Sequence, residues 1–113
     1  SLVSKAPKIF RENCELYFNN PATKIKNFIN GVSPTPGAWK IWNGKNIKFL
    51  RAKLAESSMH LEPAKYLITQ KKMFIGCADG AIEILEIQPE GKKYMKIIDF
   101  INGFKGEKEG LII

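Results

Sequence analysis

AWKIWNGKNIKFLRAKL, Ala38 to Leu54, sets the architecture of this chain. Asn43 and Gly44 divide it into two runs in which apolar residues alternate with lysines, the pattern of two half-buried strands joined by a tight turn. A two-residue loop sets Trp39 across from Lys48 and mixes core with surface on one face. A three-residue loop of Asn43, Gly44 and Lys45 instead pairs Ile41 with Ile47 and Trp39 with Phe49. That sorting favours the three-residue loop, with Lys40 facing Lys48 outside. Further along, the alternation slips, because Ile47 and Phe49 share one parity while Leu50, Ala52 and Leu54 share the other. A β-bulge near Phe49 and Leu50 turns all five inward and leaves Lys48, Arg51 and Lys53 outside.

Working outward from the hairpin, Asn20 and Pro21 form a helix start, an N-cap side chain followed by a residue whose missing N–H costs nothing in the first turn. Ala22, Ile25, Phe28 and Ile29 then recur at helical spacing, and Gly31 supplies a stop. On the other side, Glu56 to Pro63 reads as a loop. Tyr66 to Ile68, Met73 to Ala78 and Ala81 to Gln88 read as strands, the last two joined by a turn at Asp79 and Gly80. A second slip, Ile82 and Ile84 against Leu85 and Ile87, marks another bend, and Pro89 ends the strand. Ile97, Ile98, Phe100 and Ile101 face one side of a short final helix, ended by Gly103 and followed by a charged tail.

The polar, basic opening with Pro7 reads as an interdomain linker over residues 1–13, ahead of a domain over residues 14–113. A chain that opens on a linker implies a further segment upstream. Five or six short strands with a helix at each end point to an α+β, mainly β domain: a small OB-fold-like barrel with a short helix near each end.

Charge is asymmetric along these 113 residues. Of the net +7, residues 1–53 carry ten Lys or Arg against Glu12 and Glu15, whereas residues 54–113 carry eight against nine acids. A polyanionic partner, nucleic acid or an anionic membrane surface, fits that distribution as well as a solubilising surface does. No apolar run approaches the ~20 residues of a membrane span, and no leader-like sequence opens the chain. A soluble, cytoplasmic monomer is the expectation.

Chemistry is sparse. Cys14 and Cys77 belong to no CxxC pair and lie far from His60, the one histidine, so the expectation is two buried thiols and no metal. His60 lacks a positioned carboxylate, and no phosphate-cradling glycine loop occurs. Binding features are richer: Lys40, Lys45, Lys48, Arg51 and Lys53 concentrate on the hairpin that also carries Trp42. Cations on a strand surface beside an aromatic suit a nucleic-acid backbone. Trp42 itself fits hairpin-end packing as well as base stacking.

The order of motifs adds a family resemblance. APKI at Ala6 to Ile9, CEL at Cys14 to Leu16, NPA at Asn20 to Ala22, SPTPGAW at Ser33 to Trp39 and KNIKFLRA at Lys45 to Ala52 stand in sequence. CADGAIEILEIQPEGKKYM at Cys77 to Met95 and DFINGF at Asp99 to Phe104 continue it. Across almost the whole chain, this resembles the C-terminal domain of methionyl-tRNA formyltransferases.

The resemblance implies a parent enzyme that transfers a formyl group from 10-formyltetrahydrofolate to the methionine amino group of initiator methionyl-tRNA. Its catalytic Asn, His and Asp belong to an N-terminal domain absent from this sequence, and this fragment binds no cofactor itself. It further implies a tRNA-binding side made of Lys5, Lys8 and Arg11 in the linker, Lys40, Lys45, Lys48, Arg51 and Lys53 on the strand pair, and Lys92 and Lys93 of the GKK motif. The alternative is the equivalent structural domain of a sugar or folate formyl enzyme. One departure stands out: the family often has a hydroxyl residue capping the last helix, where this chain has Lys96 after Met95.

Overall fold

The computed structural model describes residues 14–33, 36–56 and 59–112. At its centre is the hairpin of β1 (Ala38–Trp42) and β2 (Lys45–Leu54). Its turn has two residues, not three: Asn43 and Gly44 both take positive φ, 55° and 79°. That is the type I′ geometry whose twist matches the flanking strands. Trp39 consequently faces Lys48, Lys40 faces Ile47 and Ala38 faces Phe49, which puts Trp39 and Phe49 on opposite faces and overturns the expected register. Turn chemistry outweighs side-chain sorting here, because Lys40 on the inner face escapes the core by reaching Glu15 at the sheet margin, at 3.0 Å.

Both expected slips are present. Phe49 faces Ile87, Arg51 faces Glu86 and Ala52 faces Ile84 on β5 (Ala81–Pro89), leaving Leu50 and Leu85 unpaired. Phe49, Leu50 and Ala52 are buried and Arg51 and Lys53 exposed, whereas Leu54 at the strand end is 45% exposed, not inward. The kink in β5 also divides its partners. Before it, β5 pairs with β4 (Met73–Gly76); beyond it, with β6 (Met95–Lys96).

β3 (Lys65–Ile68) continues the antiparallel sheet, and β7 (Glu109–Leu111) covers its outer edge. The charged tail read from the sequence is thus partly a strand. Its pairing comes from the open edge of β3, and the Ile112 N–H donates to the Ala64 carbonyl at 2.8 Å.

The strand order is β1-β2-β5-β4-β3-β7, with β6 on β5. Trp42 at the end of β1 nevertheless meets Tyr66 on β3, ring centroids 4.7 Å apart. Strands far apart in the order can touch only if the sheet is rolled. The result is a curled half-barrel, mainly β, consistent with a small OB-like fold.

The first helix, α1 (Ala22–Val32), buries Ala22, Ile25, Ile29 and Val32 against β2. Asn20 does not cap it, since its side chain donates to the Tyr17 carbonyl; the Ala22 N–H instead donates to Asp79 Oδ1 at 2.8 Å. Gly31 does not stop it either, and the helix runs one residue further. Asn30 extends from α1 to β2, donating to the Ala52 carbonyl and accepting from the Ala52 N–H, both at 3.0 Å. Its amide completes a strand edge that β1 no longer reaches.

The second helix, α2 (Ile97–Gly103), has Lys96 at its N-cap and no side-chain cap bond, as the departure from the family pattern implied. Phe100 and Phe104 join Trp42 and Tyr66 in one aromatic cluster.

Candidate nucleic-acid interface

On β1, β2 and β5 the register sets Trp39, Lys48 and Gln88 side by side in one row. The next cations along β2 are not free. Arg51 faces Glu86 and approaches its carboxylate to 4.0 Å, and Lys53 faces Glu83 at 3.8 Å. Lys40 is also committed, since its ammonium bonds Glu15 and lies 4.8 Å from the centre of the Tyr17 ring. That hydrogen bond holds the Glu15 carboxyl below its usual range. Three of the five hairpin cations are therefore locally neutralised. The acids that do this were missed from sequence, because Glu83 and Glu86 become partners only once the β2–β5 register and its bulges are known.

Lys45 and Lys48 make no ion pair among the described residues, nor do Lys92 and Lys93. The turn after β5 brings these two groups together. Lys92 N–H donates to the Pro89 carbonyl, Gly91 takes φ 75°, and Glu90 accepts the backbone N–H of Asn46 at 2.7 Å. Gln88 donates to the Lys92 carbonyl at 3.0 Å, fixing the turn to its own strand. The turn is thus pinned to the start of β2. Lys5, Lys8 and Arg11 lie outside the described residues.

Between hairpin and α2 runs a groove of about 390 Å³, walled by Trp42, Ile47, Met95, Phe100 and Phe104 and edged by Lys45, Lys92 and Lys105. Trp42 is 4% exposed, so packing at the hairpin end is its main role. Lys105 had no place in the sequence reading, where it fell in the tail.

Cys14 and Cys77 are buried free thiols, and burial, with the Asp79 carboxylate nearby, pushes Cys77 up to about 12. Among the described residues, no three His, Cys, Asp or Glu side chains gather to hold a metal, and no helix is long and apolar enough to cross a membrane. His60 is exposed in its loop.

A curled β domain with a cation-bearing hairpin and a pinned lysine turn is the class that fold and surface define. The sequence matches the family described as formyl transferase, C-terminal domain, over residues 8–105, and the chain belongs to that family. It is 36% identical over 112 residues to the methionyl-tRNA formyltransferase of Chlorobium limicola, covering 95% of this chain and 35% of that protein. The enzyme of the same name from Cereibacter sphaeroides is 40% identical over 102 residues, 90% of this chain and 32% of that one. The chain therefore spans about a third of the length of these relatives. Among solved structures, HypX from Aquifex aeolicus in complex with tetrahydrofolic acid superposes with a TM-score of 0.69 at 21% identity, over 86% of this chain and 18% of that one. The likeness is one of fold.

Proposed function

We propose that this chain is the tRNA-binding C-terminal domain of a methionyl-tRNA formyltransferase, a cytoplasmic enzyme acting as a monomer. The observation that carries the reading is similarity along nearly the whole chain to proteins of that name, at 36% and 40% identity. The surface chemistry agrees with it. Lys45, Lys48, Lys92 and Lys93 stand without acidic partners among the described residues on two adjoining elements.

In this reading those four lysines contact phosphates, with Lys5, Lys8 and Arg11 extending the track upstream. Lys40, Arg51 and Lys53 contribute less, because each already faces a carboxylate. Such contacts orient the tRNA without reading its sequence. An upstream domain supplies the catalytic groups and binds the 10-formyltetrahydrofolate donor; its substrate is initiator methionyl-tRNA.

Titration of the chain with tRNA tests this. Binding should weaken steeply with salt, because each neutralised phosphate releases counterions. Lys45→Glu with Lys48→Glu should weaken it far more than Arg51→Glu with Lys53→Glu. Affinity that ignores salt, or charge reversals of equal effect, would overturn the assignment.

A further inference from the structure

The groove between hairpin and α2 is lined on its walls by aromatic and aliphatic groups, whereas its rim carries Lys45, Lys92 and Lys105 against one acid, Asp99. Phe100 and Phe104 are only partly buried, with ring centroids 5.5 Å apart, so the cluster that closes the half-barrel also presents ring surface to the groove. Tyr94, between the lining residues Lys92 and Met95, is 52% exposed. At about 390 Å³ the space lies within the range of small-ligand sites. Apolar ring walls under a net cationic rim complement a ligand with a flat π-face and an attached anion.

On these grounds we infer that the groove receives one unpaired nucleotide of the bound RNA, its base against Phe100 and Phe104 and its phosphate on Lys45, Lys92 or Lys105. This rests on the RNA-binding reading and deepens it: lysines track the backbone, and the groove favours an unstacked base over duplex. The Asp99 carboxylate at the groove rim can accept a hydrogen bond from a base N–H. Aromatic stacking tolerates any base, so the groove distinguishes single-stranded from paired RNA more than one sequence from another.

Gly103 offers a direct test, because it lines the groove and a Cβ there would meet nothing within 4 Å. In a Trp39→Phe background Trp42 is the one remaining tryptophan. Titrating this chain with a single-stranded oligouridylate should shift Trp42 emission, and a blunt RNA duplex should not. Gly103→Gln, which partly fills the groove, and Phe100→Leu should each weaken single-strand binding roughly tenfold, the scale of one stacked base. Duplex affinity should stay unchanged, with circular dichroism confirming that both variants fold.

Single-strand binding that is salt-dependent and lost in Lys48→Glu, yet indifferent to Gly103→Gln and silent at Trp42, would overturn the groove and leave RNA binding standing. No binding of either RNA would sink both. A Trp42 shift produced by tetrahydrofolate at lower concentration than by the oligouridylate, or by raising the protein concentration alone, would assign the groove to another occupant.

Discussion

Asn30 shows how much one side chain can carry in this domain. Its amide makes both hydrogen bonds that a missing neighbour strand would have made to Ala52. Replacement by Ala leaves a backbone donor and acceptor beside the bulge without partners. Asn30→Ala should therefore lower stability by about 1–3 kcal/mol in urea unfolding, an unusual cost for an exposed helical position. Cys77 sets a different limit. Its thiol is raised from an ordinary 9.0 to about 12, chiefly by burial and then by Asp79. A raised acid favours its protonated form in the fold, so its contribution is complete below the unfolded value and is lost as pH rises through about 12. Native protein should accordingly resist thiol reagents at pH 8–9, with both cysteines reacting only on unfolding; fast labelling of Cys77 at neutral pH would contradict this burial.

At the scale of elements, the first helix is capped from across the fold. Its leading residue, Ala22, donates to Asp79, 57 positions away in the turn before β5. Asp79→Ala should cost about 1 kcal/mol, as the loss of a good cap does. Asn20→Ala should cost less, and equal melting temperatures for the two variants would refute this division of roles. A cap of this kind cannot be found from local sequence, where Asn20 before Pro21 is the natural choice. Elsewhere periodicity was sufficient: seven of the nine elements among the described residues were placed within a residue or two, and both bulges were legible because apolar parity slips on each strand. β4 was read two residues too long, and two-residue β6 and three-residue β7 were missed, because their pairing depends on edges supplied by β5 and β3. The hairpin register went wrong where Lys40 broke the binary pattern for the sake of Glu15. Lys45, Lys48, Lys92 and Lys93 were likewise legible as cations, but which of their neighbours an acid neutralises depends on strand register, a property of pairs of strands.

For the molecule as a whole, two consequences follow from how the sheet is rolled. The rings of Trp42 and Tyr66, not a continuous ladder, join the separated strands β1 and β3, so closure depends on the same aromatic cluster that borders the groove. The other consequence lies in Leu50 and Leu85. Pairing on either side of them obeys one and the same count: Phe49 with Ile87 before, Ala52 with Ile84 after. Each leucine is thus a one-residue insertion that the other cancels, a frameshift and its suppressor written on facing strands. Deleting either alone should displace every pair on one side of the bulge and turn core side chains to solvent, giving unfolded protein by circular dichroism. Deleting both should restore a continuous ladder in the original frame, with a straighter sheet. Length changes at this bend are therefore tolerable only in matched pairs, which makes residues 50 and 85 a linked site for insertion and deletion although 35 positions separate them.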